Sequence, residues 1–453
     1  MNAQFQSQQS FFEQGITRSI AYRIQQLQKL KKLLKENENK FINAIYHDFK
    51  KSSFDTISTE LNLLHSDIDE AIAHIGKWTS IQPKKTNLIN FPGRSYVIPE
   101  PLGVCLIIGA WNYPYLLSFA PAIAAIAAGC CVVLKPSEIP VKSSTVIASL
   151  VNDNFDSGFF TVVEGGESTA KSLTELPFDK IFFTGSVAVG KLVYQAAAKN
   201  LVPVTLELGG KSPAILDETC HLNMSVKRLI WAKYLNAGQT CIAPDYALVH
   251  SSIYKQALDQ MIKEIQAQHY AIENGNYVQI INEKNYHRLC KLIETDKLAY
   301  GGICNPNNRT ISPSILSKVT MNHTCMQDEI FGPILPLISY DTLEEAIALI
   351  KMNPKPLACY VFTESKKTKK KILEEVSFGG GAVNDALMHI SNRYLPFGGV
   401  GYSGIGSYHG ESGFSTFSHY KSVLDKPTWL ELGLKYFPRT PLKLKVIRFI
   451  SKL

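Results

Sequence analysis

The chain has 453 residues, 45% of them hydrophobic and 19% charged, and a formal net charge of +8. That length and apolar content allow large buried cores in two or three domains and argue against long disorder. The charge is modest for the length and its Lys and Arg are dispersed, which argues against a nucleic-acid partner.

Residues 6–80 repeat apolar side chains at helical spacing, as in Ile24, Leu27, Leu30, Leu33 and Leu34, and predict a helical lead-in. Residues 101–134 carry no charge over a length that would span a bilayer. Asn112, Pro114, Pro121 and Gly129 divide that run. It reads as a buried strand at 104–108, a loop, an apolar helix at 116–128 and a strand at 131–134. Further strands are expected at 161–163, 180–183 and 204–207, alternating with helices as in an open parallel sheet. A second alternating series begins near Ala214. It predicts helices at 222–235, 254–268, 284–294, 343–352 and 366–376, with strands at 245–249, 359–362 and 381–384. The boundary between the two series falls near Gly209–Gly210.

Nine cysteines, none spaced C-x-x-C, and a polar, Gln-rich first twenty residues point to reduced thiols and a cytoplasmic protein. No metal site is expected.

Four stretches hold candidate chemistry. In NAGQTCIAPDY (236–246), Cys241 follows a small, polar approach and precedes Pro244, so its thiol is either exposed at a loop or a small core residue. In LELGGKSP (206–213), Glu207 ends an apolar strand. It is either a desolvated carboxylate suited to general-base work or a surface group, paired or not with Lys211. In IIGAWNYPY (107–115), the Asn112 amide stands where a strand meets a turn, able to donate into a pocket or simply to make the turn. LKPSE (134–138) and FFTGSVAVG (182–190) are strand-to-loop junctions opening onto helices, the edge at which α/β sheets bind ligands.

The literal dinucleotide fingerprint G-x-G-x-x-G occurs once, at Gly399, Gly401 and Gly404 in LPFGGVGYSGIG. Its glycines would have to join a strand to a helix. Pro396 precedes them, Gly406 and Gly410 follow, and too little chain remains for a doubly wound domain. The match is set aside.

Taken together, LELGGKSP, NAGQTC, EIFGP (329–333), GAWNYP, LKPSE, FTGS and PFGG resemble the NAD(P)-dependent aldehyde dehydrogenase superfamily. CIAPDY, MQDEIFGPILP and SYHGESGFSTFSH resemble its class 3 branch of fatty-aldehyde and related enzymes. The likeness runs from about residue 10 to 425. It implies an α/β aldehyde dehydrogenase fold. A Rossmann-like cofactor domain with the helical lead-in would span 1–208, with 81–97 lent to an oligomerisation element. A second α/β catalytic domain would span 209–408, and a bridging strand 409–428.

The resemblance also implies roles. Cys241 would attack the aldehyde as thiolate, and its oxyanion would be held by the Asn112 side chain and the Cys241 backbone N–H. Glu207 would activate the water that hydrolyses the thioester. Lys135 and Glu138 would hold the adenosine ribose, Gly185, Ser186 and Gly190 would open the helix beneath the pyrophosphate, and Glu329 and Phe331 would position the nicotinamide end. Glu138 favours NAD by repelling a 2′-phosphate, although class 3 enzymes accept NADP as well. The loop after FTGS reads VAVG, where the family usually begins with Thr. Tyr113, Leu235, Thr240 and His389 would line the substrate tunnel, for a hydrophobic aldehyde that is aliphatic, aromatic or apocarotenoid. A homodimer is implied. A CoA-acylating enzyme would not need Glu207, and a silent NAD-binding relative would not need the full set.

After Glu431 the chain has no acidic residue, while Lys435, Arg439, Lys443, Lys445, Arg448 and Lys452 accumulate. Leu442, Val446, Phe449, Ile450 and Leu453 recur at helical spacing. Residues 429–453 therefore read as a basic amphipathic tail that lies on an anionic membrane, caps the substrate entrance or packs on a partner subunit. The final Ser451-Lys452-Leu453 matches a peroxisomal address, meaningful only in a eukaryote.

Overall fold

The uncharged run 101–134 forms the centre of one sheet. In the computed structural model, which describes residues 2–431 and 433–450, it folds as the strand Val104–Ile108, the helix Leu116–Ala128 and the strand Cys131–Lys135. Both strands are wholly buried, as is every helix residue but Ala124. A bilayer-length apolar run thus serves as the two-sided interior of a parallel sheet. Among the described residues, no helix is long and apolar enough to cross a membrane.

That sheet has six strands, in the order Gly404–Ile405, Val204–Glu207, Lys180–Thr184, Val104–Ile108, Cys131–Lys135, Phe160–Val162. All neighbours are parallel except Gly404–Ile405, which runs antiparallel to Val204–Glu207. The lead-in supplies helices Asn2–Glu13, Ile20–Glu36, Glu38–Phe49 and Asn62–Trp78, with Asn62–Trp78 and Ile20–Glu36 packed on Leu116–Ala128.

The second sheet has seven strands, in the order Leu298–Tyr300, Ser314–Leu316, Ile334–Tyr340, Tyr246–His250, Pro213–Leu216, Ala358–Phe362, Gly380–Val383. Only Leu298–Tyr300 is antiparallel to its neighbour. Sequence patterning misses the strand Ile334–Tyr340 because Pro336 lies within it, and proline removes a ladder donor. Pro336 is tolerated where the strand changes partners: it pairs with Leu316 on one side, and the other side begins only at Leu337 opposite Ala247. The helix expected at 284–294 runs only Glu283–Cys290, since Leu292 and Ile293 close as short i to i−3 turns. Residues from 81–97 and 409–428 meet in a third, antiparallel sheet of Gln82–Lys84, Arg94–Pro101 and Ser418–Asp425.

Register brings the candidate residues to one edge. Ile108 lies opposite Lys135 and Phe183, and Thr184 opposite Glu207, so four strands of the first sheet end together. From the second sheet, the loops entering Tyr246–His250 and Ile334–Tyr340 carry Cys241, Glu329 and Phe331. The site is built from the carboxyl edge of one sheet and the amino edge of the other.

Candidate active site

The loop bearing Cys241 starts with an unusual turn. After the helix Leu222–Tyr234, residues Asn236, Ala237 and Gly238 all take positive φ, at 54°, 52° and 70°. Such a left-handed run is unfavourable for Asn and Ala and persists only when its surroundings hold it. Here the buried amides do so. Asn236 Nδ2 donates to the carbonyls of Asn112 (3.1 Å) and Gln239 (3.2 Å). Gln239 Nε2 donates to the carbonyls of Asn236 (3.2 Å) and Gln279 (3.0 Å), while its Oε1 accepts from the Ile281 N–H (3.0 Å). Cys241 emerges from this frame half-buried. Burial, reinforced by the nearby Glu329 and Glu207 carboxyls, pushes its thiol up to about 12, while the backbone amides of Cys241 and Ile242 pull the other way.

Asn112 is buried beside that loop, and its Nδ2 donates one hydrogen to the Gln239 carbonyl at 3.1 Å. An amide nitrogen carries two hydrogens, so a second donor is available to an incoming oxyanion. The next residue, Tyr113, shares a 2.7 Å hydrogen bond between its hydroxyl and Thr240 Oγ1, directly before Cys241. Tyr113 and Thr240 are both buried.

Glu207 is buried, and both its carboxylate oxygens lack a hydrogen-bond partner. Desolvation alone raises its carboxyl well above the ordinary value. Lys211 does not neutralise it. The Lys211 ammonium is buried against the Asp245 carboxylate and donates to the carbonyls of Cys325 and Asp328, each at 2.9 Å. Asp245 in turn accepts from the Ile330 N–H at 2.9 Å, and Arg288 donates to the Ile330 carbonyl at 2.7 Å. This brace sets the segment bearing Glu329 and Phe331. A Cβ on Gly209 would stand 2.1 Å from Glu329 Oε2, so the glycine lets the carboxylate lie against the backbone just beyond Glu207. Burial, then Asp245, pushes Glu329 up to about 8, against a backbone hydrogen bond from Gly210. Phe331 takes a φ of 50° and packs edge-on against Trp111, with ring centroids 5.4 Å apart.

The predicted cofactor residues lie at the same strand ends. Lys135 Nζ donates to Glu138 Oε2 at 2.6 Å. Burial raises the Glu138 carboxyl, but Lys135 more than offsets this and holds it below its ordinary value. Beside Glu138 is a cavity of about 190 Å³ whose lining includes Ser137, Val141, Glu164 and Gly165. The Gly185 N–H donates to the Glu207 carbonyl at 3.0 Å, and Ser186 caps the helix Val187–Lys199 by accepting from the Val189 N–H. Gly190 lets that helix approach Leu208, because a Cβ there would stand 2.7 Å from Leu208 Cδ2. The cavity lies at the carboxyl end of the strand Cys131–Lys135, with the Glu138 carboxylate in its lining.

Of the residues expected to line a tunnel, Leu235 is half-buried beside the left-handed turn. The His389 ring packs 5.9 Å from that of Tyr360, whose hydroxyl donates to the Ile242 carbonyl at 2.6 Å. Both His389 nitrogens are buried without partners, and burial pushes the ring down to about 4. Sequence reading passed over Asn236 and Gln239, although both stand in the quoted NAGQTC. It also passed over Asp245, Arg288, Lys51 and Glu60, each of which has at least one partner distant in the chain.

Residues 2–423 match the model of the aldehyde dehydrogenase family. The chain belongs to that family. It is 44% identical to the 4,4′-diaponeurosporen-aldehyde dehydrogenase of Staphylococcus aureus, covering 99% of this chain and 98% of that one. It is 43% identical to aldehyde dehydrogenase family 3 member A2 of Rattus norvegicus (94% and 88% covered) and 41% identical to the rat dimeric NADP-preferring aldehyde dehydrogenase (96% of each). Among solved structures, the substrate-bound Staphylococcus aureus AldH superposes with a TM-score of 0.97 at 43% identity, covering 99% of each chain. A Mycobacterium tuberculosis aldehyde dehydrogenase complexed with NAD+ superposes at 0.85 and 28% identity, covering 94% and 90%. The protein is therefore a class 3-like aldehyde dehydrogenase, an NAD(P)-dependent oxidoreductase acting on an aldehyde.

Proposed function

We propose that this enzyme oxidises a hydrophobic aldehyde to its carboxylic acid through a covalent intermediate on Cys241. The observation that carries the reading is Glu207: a buried carboxyl with no partner, near a half-buried thiol. Orphaned buried acids are costly and mark chemistry more often than architecture. The Cys241 thiol gives its proton up to solvent and adds as thiolate to the aldehyde carbon, and the oxygen takes up negative charge. The second Asn112 N–H and the Cys241 backbone N–H hold that oxyanion. A nicotinamide held by Glu329 and Phe331 would supply the hydride acceptor that turning the adduct into a thioester requires. Glu207 then takes a proton from water, which attacks the thioester carbon and releases the acid and the thiol. Burial keeps Glu207 basic enough for this step at neutral pH.

Lys135 and Glu138 would hold the adenosine ribose, Gly185, Ser186 and Gly190 the pyrophosphate, and Glu329 and Phe331 the nicotinamide ribose and ring. Tyr113, Leu235, Thr240 and His389 would face the substrate. In this reading 1–208 form the cofactor domain, 209–408 the catalytic domain and 409–428 the bridging strand. The pairing of Gly404–Ile405 with Leu206 and Glu207 ties the end of the second to the last strand of the first. The Cys241→Ser variant is expected to lose NADH formation on the order of 10⁴-fold or more while binding NAD normally. Substantial residual dehydrogenase activity would refute the nucleophile.

A homodimer is the assembly this reading favours, supported by the rat relative named as dimeric. The tail supports a peripheral membrane contact. Within it the helix Pro441–Ile450 exposes Leu442, Leu444 and Phe449 among lysines. Leu453 and the terminal Ser451-Lys452-Leu453 lie outside the described residues. Sedimentation with anionic liposomes should fall when 438–453 are deleted, and no fall would remove the membrane role.

A further inference from the structure

We infer that Lys51 and Glu60 are positioning residues for the reaction, acting through the Asn112 turn; this rests on the assignment of Asn112 as oxyanion donor. Both are buried, at 1% and 0% side-chain exposure, and their charged atoms meet at 2.7 Å. A buried ion pair is weak evidence for stability, because desolvation offsets its attraction; its use must be sought in geometry.

The geometry is specific. Glu60 Oε1 accepts from Lys51 Nζ, while Oε2 accepts from the Tyr115 N–H at 2.8 Å and the Leu116 N–H at 3.2 Å. Those donors belong to the first turn of the helix Leu116–Ala128, where N–H groups have no intrahelical acceptor and a carboxylate is favoured. The Lys51 ammonium also stands 4.1 Å from the centre of the Tyr113 ring. Tyr113 hydrogen-bonds Thr240, and Asn112 is tied to Asn236 and Gln239. Residues 112 and 113 are thus fastened to the nucleophile loop, and residues 115 and 116 to Glu60. The turn between them carries the oxyanion donor.

Glu60 is presented by a π-helical stretch, Ile57–Leu61, that interrupts an otherwise α-helical segment. Such insertions are rare and favour functional sites because they re-aim a side chain. Neither Lys51 nor Glu60 touches the reacting atoms. Together they fix where the second Asn112 hydrogen points.

The test is a double-mutant cycle on full-length enzyme. Glu60→Gln should lower kcat about tenfold or more, with KM for NAD unchanged, against roughly 10²–10³-fold for losing an oxyanion donor in Asn112→Ala. Added to Asn112→Ala, Glu60→Gln should cost almost nothing more, because the group it positions is gone. Multiplicative losses, or a Glu60→Gln enzyme within twofold of wild type, would overturn the proposal. An Asn112→Ala enzyme with undiminished kcat would instead overturn the oxyanion assignment beneath it. If Glu60→Gln does not fold, the Lys51→Met/Glu60→Gln pair removes the stranded ammonium and carries the same cycle.

Discussion

Two glutamates, both buried, are treated in opposite ways. Glu60 has both oxygens engaged, by an ammonium and two backbone amides. Glu207 has neither oxygen engaged. Burial is common to the two, so burial does not separate a structural acid from a reactive one; satisfaction does. A carboxylate with both oxygens engaged by charged and backbone donors is held in one place. One that accepts none has its proton affinity raised by burial, so its carboxylate is the stronger base.

The largest test of that contrast is Lys51→Met, which strands the Glu60 charge and should cost about 3–5 kcal/mol in urea unfolding. A loss below 1 kcal/mol would mean that Glu60 does not depend on Lys51 as its partner. Glu207→Leu should do the reverse and stabilise the fold by about 1–3 kcal/mol while abolishing turnover. Its sign with pH follows from the raised carboxyl. Below the ordinary value, folded and unfolded chains are both protonated; above it only the unfolded chain ionises, and the native state loses stability as pH rises. The advantage of Glu207→Leu over wild type should therefore widen from about pH 4.5 upward. An advantage that narrows would place an unseen cation beside Glu207.

The sequence exposed one member of this contrast and concealed the other. Glu207 was legible because it stands in a conspicuous context, between leucines and before Gly209–Gly210. Glu60 sits in a charged, helical stretch whose periodicity resembles any surface helix. Its partners lie 9 and 55 positions away, a pairing that only the fold creates. The buried strands 104–108 and 131–135 were legible from uninterrupted apolar runs, whereas Pro336 hid the strand Ile334–Tyr340. The glycines of LPFGGVGYSGIG serve a structural contact. Gly404 pairs with Glu207 itself, and the Ser403 carbonyl accepts from the Leu208 N–H at 3.1 Å, so this stretch braces the strand that carries the proposed base. A Cβ on Gly404 would stand 2.5 Å from the Leu206 carbonyl oxygen, which explains the glycine without any phosphate.

The central claim is that Glu207 serves deacylation of a Cys241 thioester. Glu207→Gln, mixed with NAD and a hydrophobic aldehyde, should release about one NADH per subunit and then stall, since hydrolysis has lost its base. Mass spectrometry of the stalled enzyme should find the acyl group on the peptide containing Cys241. An acyl group on another of the nine cysteines, or a variant that turns over at the wild-type rate with no adduct, would contradict the account.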